Sequence, residues 1–290
     1  MILITGGTGL SGSYVIYELQ QRNLLVRALA RAESAPKLAA LGVEVAIGDL
    51  TDLDSLRRAC EGVTGIVHAA CTFTDSAVDI AAMQALLDGW RHGPFVFFSS
   101  LDAYSYSSAP LISEQTPLDD TDNDYAHGKV VSEGLLAAQG RTDFTSLRAP
   151  HIWAPHPKAR RRLTARIQGD TVLLPGGSEA EWSHYRDAWI DARDLAWIVA
   201  KSLVRPLGGA MNVLAGHFVW HDLVAEVIRL TGSACTLIHR PLAEMDEETR
   251  QAMRFHAQSW RYDDSRLRAH LDFHPSRTWQ QTVTEVLGTA

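Results

Sequence analysis

Tyr125-Ala126-His127-Gly128-Lys129 sets a phenol and an ammonium four residues apart. On a helix such a pair shares one face, a single turn apart. A tyrosine with an ordinary pKa of about 10 is a poor base at neutral pH. A neighbouring ammonium, or a cationic cofactor ring, favours the phenolate and brings it toward working pH. The spacing also arises by chance, as a half-buried tyrosine beside a lysine whose stem lies on apolar surface. Upstream, Ser99 and Ser100 close the apolar run Phe95-Val96-Phe97-Phe98. An open parallel sheet gathers its site at the C-terminal ends of its strands. A hydroxyl there can hydrogen-bond a carbonyl while the phenol transfers a proton. Ser100, Tyr125 and Lys129 are therefore the candidate catalytic set.

A second constellation opens the chain. Thr5-Gly6-Gly7-Thr8-Gly9-Leu10-Ser11-Gly12 follows an apolar run and enters an amphipathic stretch. Glycines at 6, 9 and 12 allow a tight turn, close approach to a pyrophosphate, and packing of helix on strand. The helix N-terminus adds unpaired N–H groups and a positive dipole end. Gly6, Thr8, Gly9 and Leu10 are thus expected to contact a dinucleotide. Arg31 ends the second strand, with no carboxylate before Glu33. An arginine there receives a 2′-phosphate, so NADP(H) is favoured, with NAD(H) the alternative. Asp49 and Leu50, after the third strand, are placed for the adenine; helix capping is the rival role of Asp49.

These residues need a frame, and the chain supplies one. Short apolar runs at Met1–Thr5, Leu24–Leu29, Val43–Ile47, Gly65–Ala69, Phe95–Ser99 and Phe144–Arg148 read as buried parallel strands. Helices are expected between them at Ser11–Gln21, Leu53–Cys60, Val78–Trp90 and Tyr125–Gln139, with Thr51 or Asp52 capping the second of these. The fold class is α/β, a doubly wound parallel sheet. Beyond Pro150 the rhythm changes. Helices are expected at Lys158–Gln168, Asp191–Leu203, His221–Leu230, Leu242–His256 and Thr278–Leu287, with a turn at Pro175-Gly176-Gly177 and a strand at Met211–Leu214. This divides the chain into a dinucleotide-binding domain (1–155 and 186–215) and a smaller, mostly helical substrate domain (156–185 and 216–290).

In this order the motifs resemble the extended short-chain dehydrogenase/reductase family, which includes sugar-nucleotide epimerases, dehydratases and carbonyl reductases. The resemblance is carried by Thr5–Gly12, Gly48-Asp49-Leu50, Val67-His68-Ala69-Ala70, Ser99-Ser100 with Tyr104, Tyr125–Lys129, Leu147-Arg148-Ala149-Pro150, Asp191–Leu195 and Met211-Asn212-Val213. It implies a seven-stranded Rossmann sheet with the cofactor across its strand ends. It further implies that Ser100 and Tyr125 are catalytic, that Lys129 also binds cofactor, and that Ala69, Ala70, Pro150 and Ile152 line the nicotinamide pocket. It implies a homodimer as well. Departures are Asp79, where many relatives carry asparagine, and Trp153-Ala154-Pro155, where Tyr-Gly-Pro is common. Asp102 stands near the place of a dehydratase glutamate, but Leu101 replaces its neighbouring aspartate, which disfavours simple dehydration.

Asp102, His151, Trp153 and Trp182 are the substrate-side candidates. With Trp189, the two tryptophans offer an apolar wall for a ring, although core packing explains any one of them equally well. Lys158-Ala159-Arg160-Arg161-Arg162 reads either as a phosphate clamp or as an exposed helix start. His151, His156 and His184 lack metal-ligand spacing, so no metal is expected. Across 290 residues, 46% hydrophobic and 21% charged, the balance is that of a globular protein. A net charge of −7 gives no reason to expect nucleic acid or an anionic membrane. Three scattered cysteines and no spanning apolar run read as a reduced, cytoplasmic protein acting on a small molecule. Three functions compete: a carbonyl reductase or alcohol dehydrogenase, an epimerase holding NAD through its cycle, and a non-catalytic NAD(P) sensor. The intact Tyr125–Lys129 pair weighs against the last.

Overall fold

The computed structural model describes residues 1–121 and 123–288. Through the first half, strands and helices alternate: β1 (Ile2–Thr5), α1 (Leu10–Gln21), β2 (Val26–Ala30), α2 (Ala35–Ala39), β3 (Glu44–Ile47), α3 (Leu53–Ala59) and β4 (Gly65–His68). There follow α4 (Ser76–Gly89), β5 (Phe95–Ser100), α5 (Asp124–Ala137), β6 (Phe144–Ala149), β7 (His151–Trp153) and α6 (Pro157–Thr164). The second half continues with β8 (Thr171–Pro175), α7 (Glu179–Trp182), β9 (Arg186–Asp191), α8 (Ala192–Val204), β10 (Gly209–Asn212) and β11 (Gly216–Val219). It ends with α9 (Trp220–Thr231), β12 (Thr236–Arg240), α10 (Glu247–Met253), α11 (Ser265–Leu271) and α12 (Trp279–Gly288).

Seven strands form one parallel sheet in the order β10-β6-β5-β4-β1-β2-β3. Both faces are covered, which is why β5 and β6 are buried at every residue and read as unbroken runs rather than alternating ones. Val15, Ile16 and Leu19 of α1 and Leu195–Leu203 of α8 fill one face. Leu56 of α3, Ala82, Met83, Ala85, Leu86 and Leu87 of α4 and Leu136 of α5 fill the other. The strand order reverses between β1 and β4, opening a crevice above their C-terminal ends, where such sheets bind ligands. This is the doubly wound Rossmann arrangement expected from the sequence.

A third core lies beside the sheet, built from Trp153, Trp189, Phe218 and Trp220 with Leu163, Leu223, Val283 and Val286. Its helices are α6, α9 and α12. It also carries two small sheets, β11-β9-β7 and β12-β8, whose strands sequence patterning did not indicate apart from the apolar character of their segments. Local ends follow cap chemistry. Asp52, not Thr51, caps α3 by accepting from Ser55 N at 3.1 Å. The single helix expected over Leu242–His256 is divided, because Asp246 accepts from Thr249 N at 2.7 Å and starts α10 afresh. No helix among the described residues is long and apolar enough to cross a membrane.

Candidate active site

The crevice is a cleft of about 1240 Å³ running from the β1–α1 turn to the third core. At one end the chain leaves β1 through Gly6, whose φ of +75° suits a residue without Cβ. A Cβ on Gly6 would sit 2.9 Å from Ala70 N, and one on Gly12 would run into the Gly6 carbonyl. Gly9 caps α1 without any side-chain hydrogen bond, and the first turn carries no acidic residue. The N–H groups and positive end of α1 thus face the cleft uncompensated, a fit for a pyrophosphate. Gly12→Ala should cost about 1–3 kcal/mol of stability through overpacking. It should also weaken the hold on a dinucleotide, seen as a smaller rise in melting temperature when cofactor is added.

Thr8, Leu10, Arg31, Asp49, Leu50, Ala69, Ala70, Pro150 and Ile152 all line this cleft. The Asp49 carboxylate accepts from Thr51 N (3.0 Å) and Oγ1 (2.9 Å), and these bonds hold its pKa below the usual range. Asp49 therefore braces its loop and does not cap α3. Arg31 is exposed at the rim, its Nε 3.1 Å from Glu33 and 3.9 Å from Asp49. Under the floor, His68 shares a 2.7 Å hydrogen bond with Thr5 Oγ1, which also accepts from Ala70 N at 3.2 Å. Burial, reinforced by the Lys129 charge, pushes His68 down to about 3, so it stays neutral and ties β1 to β4.

The candidate catalytic set converges in the middle of the cleft. Asn123 starts α5 by accepting from Ala126 N at 2.8 Å, and Asp124 clamps Ser76 at the head of α4 (2.5 and 2.6 Å). One turn apart on α5, Tyr125 and Lys129 both face the strand ends, and Lys129 Nζ lies 5.3 Å from the Tyr125 ring centre. Lys129 is buried and donates to Phe98 O at 2.8 Å. Burial lowers its pKa, against the pull of Cys71, Asp79 and Asp102. The Ser100 side chain lies beside the Tyr125 phenol in the cleft and accepts from Asp102 N at 3.1 Å. Contrary to the lowering expected from the neighbouring ammonium, the Tyr125 pKa is raised, because burial in the cleft outweighs that charge, with Cys71 and Asp102 adding to the rise and Ser100 opposing it. Phe73, at φ +68° and exposed, stacks on Tyr125 with ring centres 5.4 Å apart. Asp79 accepts from Thr72 N (2.9 Å) and Oγ1 (3.1 Å) and so shapes the turn that carries Phe73.

The other end of the cleft departs from the expected wall. His151, Trp153 and Asp102 line it, but Trp182 does not. Trp182 packs against the Gly176 turn and stacks on His221 (3.9 Å) and His239 (5.3 Å), away from the cleft. Trp189 is buried behind Trp153, ring centres 5.7 Å apart. The wall is instead completed by Phe255, Trp260 and Tyr262, brought in by the segment after α10. His151 Nε2 pairs with buried Asp187 Oδ2 at 2.9 Å. From the basic run, Lys158 and Arg162, one turn apart on α6, line the cleft, whereas Arg160 bonds the Leu287 carbonyl. His156 caps α6 by accepting from Lys158 N at 3.0 Å. Among the described residues no three potential metal ligands cluster. Sequence reasoning missed Arg166, Asp187, Phe73, Phe255 and Tyr262, for none belongs to a local motif.

With this geometry in view, comparison with known proteins adds the following. Residues 2–213 match the model of the NAD dependent epimerase/dehydratase family. Over 209 residues the chain is 47% identical to the NAD(P)H azoreductase of Xenophilus azovorans, a match covering 71% of this chain and 64% of that protein. Over 207 residues it is 30% identical to the 3 beta-hydroxysteroid dehydrogenase/Delta 5-->4-isomerase of Mycobacterium tuberculosis, covering 62% of this chain and 55% of that one. The match thus spans less than two thirds of the length of each. The UDP-glucose 4-epimerase of Thermus thermophilus, solved with NAD, superimposes with a TM-score of 0.76 over 99% of this chain and 97% of its own, at 22% identity, a likeness of fold. A family match over most of the chain, on a seven-stranded Rossmann sheet, places this protein in the NAD-dependent epimerase/dehydratase family of extended short-chain dehydrogenases/reductases.

Proposed function

We propose that the protein is an NADP(H)-dependent oxidoreductase acting on the carbonyl or alcohol of a small ring-bearing molecule. The observation that carries this reading is the convergence of Ser100, Tyr125 and Lys129 in a cleft continuous with the open N-terminus of α1. When bound, the nicotinamide supplies or accepts the hydride. Ser100 donates to the reacting oxygen, and Tyr125 gives or takes its proton. Lys129 orders the ribose and supplies positive charge beneath the phenol. Because burial raises its pKa, Tyr125 keeps its proton at neutral pH, the form that reduction requires. The azoreductase and hydroxysteroid dehydrogenase relatives are oxidoreductases by name, which supports the reading.

Two features weigh against a nucleotide-sugar substrate. Arg186, a further arginine that could have met a diphosphate, hydrogen-bonds the His184 and Ser183 carbonyls at 3.2 and 3.4 Å instead of lining the cleft. The substrate end is walled by aromatic rings. Epimerisation stays the second reading because Lys158 and Arg162 line the cleft and would suit a diphosphate. NADPH oxidation with cyclic ketones and aromatic aldehydes, measured beside UDP-sugar interconversion with NAD, separates the two. Interconversion without net cofactor change would overturn the oxidoreductase reading.

Cofactor choice follows from Arg31. Its ion pairs engage Nε and are exposed, so they hold the guanidinium only weakly. A charge-assisted contact from it to a 2′-phosphate contributes roughly 1.5–3 kcal/mol. NADPH should therefore bind about ten- to a hundredfold tighter than NADH. Arg31→Ala should erase that preference in a calorimetric titration of both cofactors, and equal binding by the unmodified protein would exclude it.

A further inference from the structure

We propose that the substrate end of the cleft is an anion-binding subsite in which Arg166, laid on Trp220 and held by His256, takes the carboxylate of a planar aromatic substrate. The proposal rests on the reading of this cleft as the substrate site and adds the class of molecule that it admits.

Arg166 follows α6 in a tight turn (Ala165–Ile167), is half-buried and lines the cleft. Its guanidinium carbon lies 4.5 Å from the Trp220 ring centre, and Nη1 meets His256 Nε2 at 2.9 Å. A guanidinium only donates, so His256 Nε2 is the acceptor and the ring proton lies on Nδ1. Burial pushes His256 down to about 4, so it orients Arg166 without adding charge. Burial also lowers the Arg166 pKa, the mark of a cation that has given up water.

Two other arginines that give up water, Arg148 and Arg193, are matched by carboxylates. Arg148 is met by Glu133 at 2.6 Å, and Arg193 by Asp191 and Glu285 at 2.6 Å each. At Arg166 the carboxylate in range is Asp187, which is turned to other partners and makes no ion pair with Arg166 among the described residues. Oδ2 pairs with His151 Nε2 at 2.9 Å, and Oδ1 accepts from Ala188 N at 2.7 Å. Asp187 therefore acts on Arg166 through space alone. The positive charge faces a cleft whose wall here is Trp153, Phe255, Trp260 and Tyr262. A ligand suited to both features carries a flat apolar ring and one negative group able to take paired N–H donors. A nucleotide diphosphate would call on Lys158 and Arg162 of α6 as well, whereas the single guanidinium of Arg166 beside an aromatic wall matches one carboxylate on a flat ring.

The test uses the full chain saturated with NADP+, with 4-acetylbenzoate and its methyl ester as probes and calorimetry as readout. The acid should bind about ten- to a hundredfold tighter than the ester. Arg166→Met should lose that preference, with NADP+ affinity reporting that the cofactor half is folded. Arg166→Lys, which keeps a charge but not the planar fork, should retain part of it. Equal binding of acid and ester by the unmodified protein overturns the proposal, as does a folded Arg166→Met protein that keeps the preference. Displacement of the acid by UDP at equal concentration also overturns it, in favour of a nucleotide. Because binding is read without turnover, an acid that binds through Arg166 but is never reduced by NADPH would overturn the oxidoreductase reading and leave the subsite standing.

Discussion

Replacing Tyr125 with phenylalanine is expected to lower turnover by about 10²–10⁴ while cofactor affinity survives. The substitution keeps the ring that stacks on Phe73, centres 5.4 Å apart, and removes only the hydroxyl that carries the proton. Lys129→Met should damage both turnover and cofactor affinity, because in the proposed mechanism its ammonium serves the phenol and the ribose. Ser100→Ala should cost less, as the loss of one donor to the reacting oxygen. Combined, the three losses should fall well short of multiplying, since the groups act on one transition state. The pH profile carries its own sign. With the Tyr125 pKa raised by burial, reduction should hold level through neutral pH and decline only on the alkaline side, where the phenol loses its proton. Single-turnover kinetics at several pH values check both statements. Near-normal chemistry in Tyr125→Phe would sink the assignment and favour a non-catalytic sensor.

Glu133→Ala should be among the most destabilising single changes in the chain, at about 3–5 kcal/mol. Glu133 lies on α5, one turn beyond Lys129, and takes Arg148 of β6 through Nε (3.0 Å) and Nη2 (2.6 Å). Both side chains are nearly sealed from water, at 6% and 9% exposure. Arg148 Nη1 donates to Tyr104 Oη at 2.7 Å, which donates to Asn212 Oδ1 at 2.8 Å. Truncating Glu133 leaves a buried guanidinium without its counter-charge. The double change Glu133→Leu with Arg148→Met should be much milder, because it removes both desolvation costs together. Urea denaturation of the single and double variants measures the difference. Equal losses would mean that packing, not charge, holds α5 to the sheet.

The parts of this molecule that sequence reading reached are those encoded over short spans. The Gly6–Gly12 turn, the Tyr125–Lys129 pair and the Phe95–Ser100 strand each declare themselves within a dozen residues, because helix and strand periods and turn sterics are local. The substrate end is not written that way. His151 meets Asp187 across 36 positions, and Arg166 meets His256 across 90. The strand that carries His151 is short; β7 is three residues long, too few for a period to show. Trp182 illustrates the same limit from the other side. Its size marks it for burial, but its direction is decided by the Gly176 turn and by two histidines from α9 and β12. Arg166 gave no signal because a cation announces itself only when its missing partner can be counted in space.

The junction of the cleft's two ends has a mechanical consequence. β6 ends at Ala149 in the large sheet and β7 begins at His151 in the small one, with Pro150 alone between them. A proline there has its φ fixed by its ring. The surface that faces the cofactor and the surface that faces the substrate are thus coupled across one stiff residue rather than across a flexible linker. The reach between the two reactants is set at that weld. Loosening α9 or α12 should therefore change how readily a molecule enters and leaves more than it changes the geometry of transfer once it is seated.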